Sequence, residues 1–140
     1  MSKLKMLTLA VAWVAAGSAA AAADPFAESD ILLCAVADAT VCEGGGRCEP
    51  TTPEEVSFAR FARVNLKDRE MRSIWPAELD RATLIEQLIE SEALIIMQGI
   101  DDDIAWTFTI EKPSGEFVAA ASGTGAVYVL SGTCMPQLPQ

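Results

Sequence analysis

The clearest pattern in the chain is a strict alternation of apolar and small polar positions in its C-terminal half. In Ile104-Ala105-Trp106-Thr107-Phe108-Thr109-Ile110 the bulky residues occupy every second position and Ala or Thr the others, the period-two signature of a strand with one buried face. Ala62-Arg63-Val64-Asn65-Leu66-Lys67 repeats the pattern in weaker form. Phe58 and Phe61 fall out of its phase, which predicts a bend or bulge where that strand begins. Ile31 to Val36 is an apolar run of strand length, and Met71 to Trp75 is a short strand ended by Pro76. Phe117 to Ala121 and Ala126 to Leu130 flank the turn Ser122-Gly123-Thr124-Gly125, and the last run continues to Cys134. Between these runs lie turn residues: Lys67-Asp68-Arg69-Glu70, the Pro- and Gly-bearing stretch Glu111 to Glu116, and Glu43 to Glu55, which reads as a loop.

Glu78 to Met97 is ambiguous. Leu84, Ile85, Leu88 and Ile89 recur at helical spacing, and Glu78, Glu86 and Gln87 are good helix formers. The alternative is a hairpin, with Ala82 to Ile89 as one strand, Glu90-Ser91-Glu92 as the turn, Ala93 to Gln98 as the return strand, and Gly99 opening the next turn. The strand-like run Leu94-Ile95-Ile96-Met97 favours the hairpin. Short strands roughly every ten residues, joined by tight turns, predict an all-β fold: an antiparallel meander forming a small barrel or sandwich.

The N-terminus carries a different pattern. Lys3 and Lys5 precede an apolar run from Met6 to Ala16, then Gly17-Ser18 and an alanine tract ending at Ala23. A basic start, an apolar middle and a small-x-small end make a secretory signal, with cleavage expected after Ala23. Residues 1–23 are therefore read as a signal peptide and residues 24–140 as a single small β domain in the periplasm or secreted. The alanine-rich second half is too weakly apolar to hold in lipid, so no stable membrane insertion is expected after cleavage. The whole chain has a net charge of −10. Removing Lys3 and Lys5 leaves eight basic against twenty acidic residues, a net −12. That argues against nucleic acid and favours a cationic partner if charge selects one.

Export also decides how the cysteines are read. Cys34, Cys42, Cys48 and Cys134 all follow the signal, and an even number in an oxidising compartment implies two disulfides. Three pairings are possible. The glycine-rich loop between Cys42 and Cys48 favours a local pair, which leaves Cys34 with Cys134 as a clasp between the first and last strands. The spacing does not suit a four-thiolate zinc site.

The chain contains no histidine. Ser-His-Asp and Cys-His catalysis are excluded, as are histidine metal sites. No catalytic, cofactor or metal residues are assigned, and the domain is read as no enzyme. Asp101-Asp102-Asp103 is the densest acidic cluster, but neighbouring side chains in an extended turn diverge, so it reads as a solvated turn rather than a calcium site. Arg60, Arg63, Arg69, Arg72 and Arg81 lie among carboxylates and read as surface ion pairs. Trp75 and Trp106 are the ligand-facing candidates if the barrel holds a cavity; the alternative for Trp106 is a core residue beside Phe108.

Leu33-Cys34-Ala35, the Cys42 to Cys48 loop, Phe61 to Leu66, Gln98-Gly99, Trp106 and Ser131-Gly132-Thr133-Cys134 together resemble a group of small exported proteobacterial proteins of unknown function. The resemblance implies an exported all-β domain and no activity. Two functions fit these observations. One is a non-catalytic periplasmic binding or interaction module, taking a protein or a small ligand. The other is an anionic inhibitor of a cationic hydrolase such as lysozyme.

Overall fold

The computed structural model describes residues 23–44 and 46–138; the predicted leader lies outside them except for Ala23. Ten strands make one antiparallel sheet: β1 (Ile31–Glu43), β2 (Arg47–Thr51), β3 (Phe61–Asn65), β4 (Glu70–Trp75), β5 (Ala82–Leu84), β6 (Gln87–Glu90), β7 (Leu94–Asp101), β8 (Ile104–Glu111), β9 (Glu116–Gly123) and β10 (Ala126–Pro136). The order is β5-β4-β3-β1-β10-β9-β8-β7-β6, with β2 paired to β1 off this path. The sheet is a curled half-barrel. Among the described residues no helix is long and apolar enough to cross a membrane.

The two edge strands of this order, β5 and β6, are consecutive in the chain. Between them Ile85, buried in the core, donates its N–H to the Arg69 carbonyl at 2.9 Å, and Glu86 donates to the Gln98 carbonyl at 2.9 Å. One segment thus leaves the β4 side of the sheet and joins the β7 side, making a seam across the curl. The expected single strand from Ala82 to Ile89 is split in two here. Inward-facing positions run Thr83, Ile85, then Leu88, so one extra residue resets the alternation at the crossing. Leu84 and Ile89 are 67 % and 53 % exposed, which a helix burying the Leu84, Ile85, Leu88 and Ile89 face would not allow. The β6–β7 hairpin forms as expected, but Gly99 lies inside β7 and the next turn comes at Asp102-Asp103.

β1 organises the other side. A register shift between Val36 and Asp38 divides it: residues 31–35 pair with β3, residues 39–43 pair with β2, and both parts pair with β10. The loop expected from Glu43 to Glu55 therefore contains β2. Both disulfides join directly opposed residues of neighbouring strands, Cys34–Cys134 between β1 and β10 and Cys42–Cys48 between β1 and β2. This is the pairing favoured from sequence.

The interior is layered along the strands. Ile95, Ile110 and Phe117 are opposed on β7, β8 and β9, and Leu32 is opposed to Val64 on β1 and β3. All five are buried almost completely. The entry segment covers this end. Asp24 accepts from the Phe26 N–H at 2.9 Å, starting a short 3₁₀ turn over Pro25–Glu28 that buries the Phe26 ring. Lys112, its side chain only 8 % exposed, lies 3.6 Å from Asp24 and 3.8 Å from Glu90, tying that turn to the sheet.

Candidate ligand cavity

Further along the same strands the inward residues become small. Opposite Phe108 stands Ala119, opposite Trp106 stands Ala121, and opposite Cys34 stands Ala62, which in turn faces Ser73. Small residues facing one another across adjacent strands cannot fill the interior that bulky ones fill at the covered end. The result is a cavity of about 130 Å³ lined almost entirely by apolar atoms, with Phe108, Leu130, Met71 and Val36 among its walls. Cys34 contributes to the wall as well, so the clasp between β1 and β10 sits where the packed and hollow parts meet.

Two polar atoms in this wall have no hydrogen-bond partner in the protein: the hydroxyl of Thr83 and the indole Nε1 of Trp106. Both atoms are shielded from solvent. Trp106 stands opposite Gly99 in the β7–β8 pair. A Cβ at Gly99 would stand 2.6 Å from the Leu84 carbonyl oxygen and 2.6 Å from Trp106 Cζ2. Only a glycine lets the indole of β8 lie against β7 while the β5 segment passes close by. Buried polar atoms are normally paired. Both unpaired atoms belong to side chains that line the cavity.

The rim is built from three segments. Ser57, Phe58 and Ala59 cross over one side, with Phe58 edge-to-face on Tyr128 at 5.4 Å. Leu79 follows from the turn after β4, where the Ser73 hydroxyl donates to the Leu79 carbonyl and accepts from the Arg81 N–H at 2.7 Å. Asp101 at the end of β7 accepts from Arg81 Nη2 at 2.6 Å, an ion pair that spans the seam. Arg81 and Asp101 supply all the formal charge in the cavity lining, and they neutralise each other.

The residues singled out from sequence separate clearly. Trp106 lines the cavity. Trp75 is 50 % exposed, packs edge-to-face on Phe61 at 6.2 Å, and does not line it. The three aspartates diverge: Asp101 turns to Arg81, whereas Asp102, at φ 53°, and Asp103 are exposed in the hairpin turn. Arg60, Arg72 and Arg81 form ion pairs with Glu54, with Glu70 and Asp80, and with Asp101 respectively. Sequence reasoning missed Thr83, Gly99 and Arg81 as parts of one site. The signal available was Gly99 itself, a glycine inside an apolar strand-like run, which marks a close approach of another group.

A second depression, of about 470 Å³, lies against β6 to β10 and is bordered by Gln87, Gln98, Thr107 and Ser122. It is larger but more open and more polar, and it carries no orphaned buried atom apart from the shared Trp106. The inner cavity is the better defined site. Compared with protein-family models, with curated proteins and with solved structures, the chain matches none.

Proposed function

We propose that this is an exported, non-catalytic binding module, and that the interior cavity holds its ligand. The observation that carries the reading is the apolar cavity of about 130 Å³, whose lining includes Thr83 and Trp106, each with an unpaired buried polar atom. An apolar pocket with a few convergent polar groups is the usual form of a small-molecule site. The absence of histidine, and the engagement of the lining's one carboxylate, Asp101, in an ion pair with Arg81, argue against chemistry on whatever enters. Titration with a one-ring hydrocarbon, followed by amide and methyl NMR shifts, tests the site. Shifts clustered on Leu130, Ala119, Ala121 and Met71 are expected, and the absence of any saturable shift would overturn the reading.

The second reading, an anionic inhibitor of a cationic hydrolase, draws on the charge and on the exposed turn at Asp102-Asp103. Its test is capture of a basic hydrolase from periplasmic extract at low ionic strength, released as salt rises. Capture that ignores salt, or none, counts against it.

A further inference from the structure

The outer face of β1, β3 and β4 carries positive charge that the fold leaves partly unanswered. Cys34 and Ala62 line the cavity, so their neighbours Leu33, Phe61 and Arg63 alternate to the outside. One cross-strand row runs Met135, Leu33, Arg63, Arg72 over β10, β1, β3 and β4, and in the row beside it Phe61 stands opposite Trp75. Two arginines directly opposed on one face repel, which costs stability rather than adding it. Glu70 at 3.3 Å and Asp80 at 3.4 Å answer Arg72. Arg63 is exposed and, among the described residues, makes no ion pair.

The apolar neighbours in these rows, Met135, Leu33, Phe61 and Trp75, are also exposed. The Phe61 and Trp75 rings brace each other edge-to-face at 6.2 Å, so this part of the surface is shaped before anything docks. Exposed Trp and Arg side by side is the composition of interface hot spots, and a guanidinium fork takes a carboxylate through two parallel hydrogen bonds. A second copy docking here by two-fold symmetry would set one basic row beside another. An anionic bilayer is repelled by the chain's net charge of −10. From Met135 to Arg72 the row crosses three strand spacings, about 14 Å at about 4.8 Å each, the length of about four extended residues.

We propose that this face docks a segment of a partner protein in which one aspartate or glutamate is flanked by apolar side chains. Its carboxylate is taken by Arg63, with Arg72 alongside, and the flanking side chains cover Leu33 and Met135 on one side and the Phe61–Trp75 pair on the other. A single carboxylate also suits the overall charge, because a strongly acidic partner would be repelled at long range. The face lies outside the sheet and stands independently of the cavity reading.

Two peptides test it: acetyl-Leu-Phe-Asp-Leu-amide, and the same peptide with asparagine in place of aspartate. Each is titrated into the oxidised protein and followed by NMR at the Trp75 indole and the Arg63 Nε. The aspartate peptide is expected to shift both signals and to bind about three- to fivefold tighter, the scale of an exposed ion pair. Arg63→Gln should erase that preference while leaving thermal stability unchanged or slightly raised, since one of two opposed like charges is gone. Trp75→Ala should weaken both peptides by the same factor. Equal binding of the two peptides overturns the carboxylate assignment. Binding by neither, or shifts that avoid Trp75 and Arg63, overturns the docking face and leaves the cavity reading intact. A dimer in sedimentation velocity, or flotation with phosphatidylglycerol vesicles, that depends on Arg63 gives the face to another occupant and overturns the proposal too. A marked loss of stability in Arg63→Gln does the same, by assigning the arginine to the fold.

Discussion

The two ends of this curled sheet are made of the same strands and differ in what those strands point inward. At the end covered by the Phe26 turn, Leu32, Val64, Ile95, Ile110 and Phe117 meet in opposed pairs, and Phe117 also forms the floor between this layer and the cavity. One or two layers away, Ala62, Ser73, Ala119 and Ala121 hold the equivalent places, and the interior opens to about 130 Å³. On β7, β8 and β9 the register is continuous through both, so strand pairing there does not distinguish them. The difference lies in side-chain volume: one end supplies packing energy, and the other gives some up and leaves a cavity. The hollow end should accordingly be the first to open locally. Amide exchange at Trp106 and Ala121 is expected to be faster than at Ile110 and Phe117 on the same two strands.

The largest effect expected at their boundary comes from the Cys34–Cys134 clasp. It joins the first and last long strands across a sequence separation of 100 residues, and loop-closure entropy gives such a bridge about 4–5 kcal/mol against about 2–3 for the short Cys42–Cys48 loop. Replacing Cys34 and Cys134 together by serine should lower the denaturant midpoint well beyond the loss from replacing Cys42 and Cys48. Equal losses in urea titration would mean that the clasp does little beyond what strand pairing already does.

A sharper comparison adds volume to each end. Gly132 belongs to the packed layer beside Phe117, and a Cβ there collides with the Ala35 carbonyl oxygen of β1 and approaches Phe117 Cε1 to 2.8 Å. Backbone cannot yield as a flexible side chain would, so Gly132→Ala should cost about 1–3 kcal/mol. Ala121→Leu adds more carbon to the hollow end, where it meets the cavity. It should change stability by less than about 1 kcal/mol in either direction, and abolish binding of one-ring probes. If the leucine variant proves the more destabilised in thermal unfolding, the hollow end is better packed than its volume implies.

How much of this was legible in the sequence follows from what each feature depends on. β8 was readable residue by residue, because Ile104, Trp106, Phe108 and Ile110 alternate without interruption and one face is buried along its length. The pairing of Cys42 with Cys48 was readable because a glycine-rich loop brings its own ends together. The seam was not: Ala82 to Ile89 has continuous strand character, and its break at Ile85 is set by which distant strands, β4 and β7, lie on either side. The cavity was invisible for a related reason. Ala119 and Ala121 look ordinary in β9, and become a void only because Ala62 and Ser73 also reach inward from the other side. Trp75 and Trp106 were indistinguishable as sequence; a register shift in β3–β4 beside Trp75 and Gly99 opposite Trp106 separate them.

The smallest expected effect tests whether the rim of the hollow end has its own electrostatic support. Arg60 donates to both carboxylate oxygens of Glu54, at 2.6 and 2.8 Å. These hydrogen bonds hold the Glu54 carboxyl below the usual carboxylate range and raise Arg60 in turn. Glu55 is lowered too, first by the Thr52 N–H that it accepts at 3.1 Å and then by the Thr51 hydroxyl. Both ties brace the segment that carries Ser57, Phe58 and Ala59 to the cavity rim. A carboxyl with a lowered folded pKa contributes stability that is fully present above its unfolded pKa and is lost as pH falls through the folded value. The contribution should therefore be constant at neutral pH and fade in the acid range. Glu55 is exposed and Glu54 only partly covered, so the effect is small and weakened by salt. Glu54→Gln is expected to lower the urea midpoint slightly at pH 7, with the gap to the unaltered protein closing toward pH 3. A gap that persists unchanged at pH 3 would show that the glutamate acts through packing rather than charge, and that the rim, like the covered end, is held by contact alone.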